Sequence, residues 1–301
     1  MKMIVALVLT VFVVTACITP PPPVPEGIEN PKVPPKIQVT IPELFSPNPD
    51  IVDDTLTIKI AIDHPVLPLK DWQIQIQPIR QGQAGQQNQA QTGTQGERQS
   101  GQRNRRRSFF QQSGNGNPPE EWKWNGKGTS GEMVQSAMDY RFRLTVNDVF
   151  DNNAVYEGVI SVDVLVRREG DILRMVVPSI IFPPNSNDFS KLSPEDARSN
   201  ARILGLVARI LNKFADYKIT VEGHANPTTA PGRQRTAEEN NELKPLSLAR
   251  AQAVVDYLAA NDDVNKERLT AIGMGGTRTV AEYNNDEENW KNRRVEFILK
   301  K

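Results

Sequence analysis

From residue 37 the chain alternates apolar and polar side chains in short runs, Ile37-Val39-Ile41, Leu56-Ile58-Ile60-Ile62 and Trp72-Ile74-Ile76, punctuated by Pro, Asn and Asp. A repeat of two places the apolar members on one face of an extended strand, so each run predicts a half-buried β-strand. A second set follows at Tyr140-Phe142-Leu144-Val146, Val159 to Val166 and Leu173 to Val177, with turn residues Asp148, Asn152 and Asn153 between them. Many short alternating strands predict a β-sandwich over 37–177.

The period then changes. Ser193-Pro194-Glu195-Asp196 is a helix start, with Ser as cap, Pro in the first turn and acidic residues where the helix dipole favours them. Ile203, Leu204, Val207, Ile210, Leu211 and Phe214 then recur at helical spacing. Ser247 reads as the cap of a second helix whose stripe is Leu248, Ala251, Val254, Val255 and Leu258. Strands at Ile180-Ile181-Phe182, Tyr217–Glu222, Leu269–Ile272 and Val295–Leu299 complete a β-α-β-α-β-β order. That order predicts a two-layer α+β sandwich over 178–301.

Two segments fit neither pattern. Residues 81–118 hold 11 Gln, much Gly and Asn, and the basic cluster Arg103, Arg105, Arg106 and Arg107 before Phe109 and Phe110. Such a stretch cannot bury a core, and it reads as a disordered insertion; a basic contact surface for anionic lipid, glycan or a partner is the alternative. Eight of the 16 residues at 20–35 are proline, which predicts an extended stalk within a linker over 17–36. Residues 1–16 carry Lys2, an apolar run from Ile4 to Val14 and two small residues before Cys17, the pattern of an export signal. The run is shorter than the roughly 20 residues of a membrane-spanning helix. Val14-Thr15-Ala16-Cys17 resembles the bacterial lipobox, which implies lipidation of Cys17 and anchoring at about 0.8 kcal/mol per buried methylene.

Composition narrows the chemistry. The 301 residues carry 36 Lys plus Arg and 36 Asp plus Glu, so no basic excess points to nucleic acid. One Cys excludes an intrachain disulfide, and 2 His argue against a multi-histidine metal centre. No metal or cofactor is expected. Ser46 to Asp54 is rich in oxygen side chains but lacks the spacing of an EF-hand, and polar turns are the simpler reading.

Phe45-Ser46-Pro47-Asn48-Pro49-Asp50, with Trp122, Trp124-Asn125-Gly126 and Tyr140 to Val146, resembles the immunoglobulin-like domains related to the flagellar-hook capping protein. The C-terminal motifs are more specific. Val221-Glu222-Gly223-His224-Ala225-Asn226, Leu246-Ser247-Leu248-Ala249-Arg250-Ala251, Gly273, and Asn292-Arg293-Arg294-Val295-Glu296-Phe297 occur in the order found in OmpA-like domains of the peptidoglycan-associated lipoprotein type. That resemblance implies recognition of the diamino acid of a peptidoglycan stem peptide, with Arg250 as the cationic contact and position 226 as the anionic one. Here position 226 is Asn, Ala225 replaces the usual Thr, and the loop Pro227 to Asn241 is enlarged. An amide supplies no charge, so weaker or altered diamine selectivity is expected, with Glu238, Glu239 or Glu242 as substitute carboxylates. Arg250 paired with Glu242, and no ligand, is the bland alternative. Asn292, Arg293 and Arg294 are placed to contact the peptide or, alternatively, to brace the fold. His224 lacks a nucleophile or paired carboxylate in a recognisable arrangement and reads as structural; the chain is expected not to be an enzyme.

These readings converge on a lipoprotein of the outer membrane facing the periplasm, tethered to peptidoglycan by its last domain. The alternative is an envelope interaction protein, an adhesin or scaffold, whose OmpA-like domain has lost or altered wall binding and whose sandwich holds a protein partner.

Overall fold

The structure, a computed structural model, describes residues 20–24, 26–47, 54–63, 67–79 and 108–301. The export signal, Cys17, the centre of the Ser46-to-Asp54 segment and the arginine cluster of the insertion lie outside the described residues.

The first unit is β-rich. Strands β1 (Lys36–Thr40), β2 (Leu56–Asp63), β3 (Leu69–Pro78), β4 (Phe110–Asn115), β5 (Glu121–Trp124), β6 (Asp139–Asp148) and β7 (Asn153–Ser161) form two antiparallel sheets. Their orders are β1-β2-β5 and β4-β3-β6-β7. The alternation decides which side chains go in: Ile58, Ile74, Ile76, Phe142 and Leu144 are all fully buried in one shared cluster. Trp122 and Trp124 stack at 6.4 Å beside Phe110, and their indole N–H groups donate to Gln112 and to the Lys127 carbonyl. Aromatic bodies are thus buried without stranding their polar ends.

The second unit is α+β. It holds β8 (Val166–Glu169), β9 (Ile172–Val177), α1 (Pro194–Lys213), β10 (Lys218–His224), α2 (Arg233–Glu238), α3 (Lys244–Asn261), β11 (Leu269–Gly275) and β12 (Val295–Lys300). The sheet order is β11-β10-β12-β9-β8, with β10 and β11 parallel and the other pairs antiparallel. Ile203, Leu204, Val207 and Leu211 of α1 and Ala251, Val254 and Leu258 of α3 meet Val221, Phe297 and Leu299 of the sheet in one core. Ser193 caps α1 as expected, accepting from the Asp196 amide at 3.1 Å.

Five expectations need correction. Phe110–Asn115, read as part of the insertion, is strand β4, registered on Ile76 to Asp71; Trp72 covers Gly114, so pairing compensates for its polar sequence. The strand expected at Val159–Val166 lies earlier, at β7, because the Asp163 carboxylate bonds the Val164 amide and ends the extended run. Leu173–Val177 is a strand but pairs with β12, so it belongs to the second unit, and the sheets change over between Ser161 and Val166. Ile180-Ile181-Phe182 is irregular: Asn200 of α1 bonds both the amide and the carbonyl of Ile181, substituting for a ladder. Finally, Ser247 is not a cap. A π-helical turn at Glu239–Leu243 runs α2 into α3, and Ser247 is fully buried inside α3, donating to the Lys244 carbonyl and accepting from the Gly275 amide.

Among the described residues, two ion pairs join the units. Arg209 of α1 donates to both Asp163 oxygens at 2.8 Å, and Arg202 donates to Asp139 at 2.8 Å. Trp290, from the segment before β12, packs against the core of the first unit.

Candidate functional site

The junction of the units holds a cleft of about 190 Å³, lined on one side by Ile79, Met138 and Asp139 and on the other by His224, Arg250 and Arg293. Arg250 reaches it from α3. Its Nε donates to the Ser186 carbonyl at 3.1 Å, one Nη to the Pro183 carbonyl at 3.2 Å, and the guanidinium lies 5.0 Å from the Phe182 ring centre. Burial and the neighbouring charge of Arg293 lower its pKa to about 10. Its charge is met by neutral carbonyls and a ring face, not by Glu242, which is exposed. Because α3 begins at Lys244 and continues from the turn before it, no free helix end stands beside Arg250. Burial beside neutral carbonyls sets the demand for an anion.

The other predicted contacts separate. Arg293 is exposed at the cleft. Arg294 is buried and braced, with Nε on Glu296 at 2.7 Å and Nη2 on the Arg278 carbonyl at 3.0 Å. Asn292 is fully buried: its oxygen accepts from the Val280 and Ala281 amides, and its amide donates to Asn226 at 2.8 Å and to the Ala281 carbonyl. Asn292 and Arg294 therefore hold the segment before β12, and Arg294, though it borders the cleft, has its donors engaged by Glu296 and the Arg278 carbonyl.

Asn226 is part of the same lattice. Its oxygen accepts from Asn292, while its amide donates to the Pro227 carbonyl at 2.9 Å and the Tyr283 carbonyl at 3.0 Å. It does not line the cleft. Every donor and acceptor direction demands an amide, so Asn226→Asp would set a carboxylate oxygen against two carbonyls. Loss of two donors plus repulsion is expected to destabilise the domain by about 1–3 kcal/mol. Urea unfolding would measure it, and unchanged stability would remove Asn226 from its bracing role.

The substitute carboxylates are also engaged. Glu238 accepts from the amides and hydroxyls of Thr228 and Thr229; burial raises its pKa, but these bonds outweigh it and hold the group at about 2. Glu239 accepts from the Gly276 amide at 2.9 Å. The segment expected as an enlarged loop is thus partly helical and internally bonded, and it lends no charge to Arg250.

His224 is buried, and neither ring nitrogen has a hydrogen-bond partner among the described residues. Burial, followed by the charge of Arg294, lowers its pKa to about 4, so the ring is neutral near pH 7. Glu222, His224 and Glu296 bring ligand atoms within 4.8 Å of one another, a grouping the sequence reading did not raise. Arg278 already pairs with Glu222 at 3.2 Å, and Arg174 and Arg294 pair with Glu296 at 2.6 and 2.7 Å. Guanidinium groups thus balance the charge a divalent cation would need, and the cluster fits an ion-pair network better than a metal centre.

Comparison with known proteins matches the second unit to a family. Residues 182–293 match the OmpA family, and this segment is an OmpA-like domain. The chain is 24% identical over 193 residues to the uncharacterized protein YtxE of Bacillus subtilis, covering 64% of this chain and 73% of that one. It is 32% identical over 113 residues to the peptidoglycan-binding protein ArfA of Mycobacterium bovis, covering 38% of this chain and 30% of ArfA, under a third of that relative's length. Among solved structures, the cell wall anchor of the T6SS from Pseudomonas aeruginosa is similar over 45% of this chain and 86% of its own, at 26% identity and a TM-score of 0.35. The OmpA-like domain of FopA1 from Francisella tularensis covers 45% of this chain and 77% of its own, at 19% identity and a TM-score of 0.33.

Proposed function

We propose that the chain is a non-enzymatic cell-envelope lipoprotein that links the outer membrane to peptidoglycan. In this reading Cys17 carries the lipid, the proline-rich segment is a stalk, the β-rich unit is an immunoglobulin-like spacer, and the OmpA-like domain grips a stem peptide. The observation that carries it is Arg250, a partly buried cation at a cleft whose polar partners are two neutral carbonyls. A carboxylate is the chemistry that answers such a group, and charge-assisted bidentate pairing would make it the main anchor. The match of residues 182–293 to the OmpA family and the name of ArfA support peptidoglycan as its source. Attachment at both ends makes wall binding effectively intramolecular, so modest affinity suffices.

Co-sedimentation of the full chain with purified peptidoglycan tests the reading. The wild type is expected in the pellet, and Arg250→Ala is expected to weaken binding at least about tenfold while leaving the fold intact. Equal pelleting of both proteins would remove Arg250 from the site. A second reading, an envelope interaction protein with altered wall recognition, is favoured by the commitment of Asn226 to internal bonds. A wild-type chain that stays in the supernatant would select it.

A further inference from the structure

Buried side-chain polar atoms are nearly always hydrogen-bonded, so those that are not point to a use. Among the described residues, Asp139 Oδ1, Ser179 Oγ and both ring nitrogens of His224 are buried without a partner. All three residues line the same cleft as Arg250 and Arg293. The other two such atoms, Glu239 Oε1 and Asp262 Oδ2, belong to residues outside it. Unsatisfied groups are therefore concentrated at this cleft, and they come from both units: Asp139 opens β6, Ser179 follows β9, and His224 ends β10.

The charges are arranged by unit as well. The β-rich unit contributes a carboxylate, Asp139, whose second oxygen is held by Arg202 at 2.8 Å. The OmpA-like domain contributes three guanidinium groups, Arg250, Arg293 and Arg294, of which Arg294 is already paired with Glu296, while Asn226, at the position where the family resemblance implies an acid, is turned away into internal bonds. A simple anion would satisfy Arg250 and leave Oδ1 of Asp139 without a partner. A ligand bearing both an ammonium and a carboxylate answers both.

We infer that Asp139 is the acidic member of this binding site, supplied across the cleft by the β-rich unit, and that it takes the ammonium of an amino-acid ligand whose carboxylate lies on Arg250. Ser179 Oγ gives a further, uncharged hydrogen-bonding position at the same cleft. The inference rests on the peptidoglycan reading and names how that site regains its negative pole. It also makes the β-rich unit part of the recognition surface, in addition to any role as a spacer. Arg202 occupies one Asp139 oxygen, and the other is the one assigned to the ligand.

Isothermal titration of the full chain with meso-diaminopimelate and with pimelate, which has the same carbon skeleton and no ammonium, isolates the contact. Wild type is expected to prefer the diamino acid by about 10- to 100-fold, the range of one charged hydrogen bond. Asp139→Asn should shrink that preference to within about threefold, chiefly by weakening diaminopimelate; Arg250→Ala should weaken both ligands. Since Asp139→Asn also breaks the Arg202 pair, Arg202→Gln serves as the second variant: it cuts the same ion pair, keeps the carboxylate, and should retain the preference. A preference that survives in Asp139→Asn, or that Arg202→Gln abolishes equally, overturns the role of Asp139; wall binding that still depends on Arg250 would then leave the peptidoglycan reading standing. Absence of wild-type binding to both diaminopimelate and peptidoglycan overturns both.

Discussion

A fragment beginning at residue 178 is expected not to fold, whereas one beginning at residue 164 is expected to unfold cooperatively. The sequence motifs of the OmpA-like domain make 178 an attractive cut, but β9 lies inside the sheet, between β12 and β8. Its Leu173 is 5% exposed, and Met175 and Val177 are fully buried in the core shared with α1 and α3. Truncating one such side chain costs about 2–5 kcal/mol. Losing three together consumes most of a typical domain stability of about 5–15 kcal/mol. The cut also strips β12 of its partner from Val295 to Lys300, exposing a bare sheet edge beside an apolar face. Circular dichroism with urea unfolding of the two fragments decides the matter. A cooperative transition in the 178 fragment, at the midpoint of the longer one, would show that β9 is dispensable.

Gly223→Ala is expected to destabilise the second unit by about 3 kcal/mol or more, at the upper end for overpacking. Gly223 of β10 pairs in parallel register with Gly273 of β11, and α3 crosses directly over both. A Cβ on Gly223 would collide with the Ser247 carbonyl of that helix and touch Ala251. At Gly273 it would meet the Lys244 carbonyl and lie 2.7 Å from the Leu248 amide nitrogen. These neighbours are backbone, so no rotamer change relieves the clash, and α3 must move. Arg250 sits one turn beyond Ser247, so the displacement should also weaken ligand binding. Gly205, on α1 with open space where its Cβ would be, is the control: Gly205→Ala should be neutral or stabilise by about 0.5–1 kcal/mol. Thermal unfolding of the three proteins tests the pair of expectations. Equal stability of Gly223→Ala and wild type would mean the helix is not held at that distance.

Most strands and both long helices were legible because burial on one face imposes a period, and that period survives in the order of residues. Ile58-Ile60, Ile74-Ile76 and Phe142-Leu144 alternate, and Ile203, Leu204, Val207 and Leu211 recur at helical spacing, for that reason. Strand β4 was not legible: Gln111, Gln112 and Ser113 carry no apolar signal, and only their register on β3 makes them a strand. Nor was the allegiance of β9, since alternation says that Leu173 to Val177 is half-buried but not against which sheet. The start of α3 was misread because Ser247 resembles a cap locally, while its hydroxyl is recruited by Gly275, 28 residues away.

At the site, the sequence by itself determined the residue types: a cation at Arg250, an amide in place of an acid at Asn226, and the glycines Gly223 and Gly273. Only the tertiary structure decided their employment. It spent Asn226, Asn292, Arg294 and Glu238 on internal bonds, left Arg250 facing carbonyls, and brought Asp139 of the other unit to the same cleft. The reason is physical: a hydrogen bond or a charge pair is a relation between positions in space, and Asp139 and Arg250 lie too far apart along the chain for any local pattern to couple them.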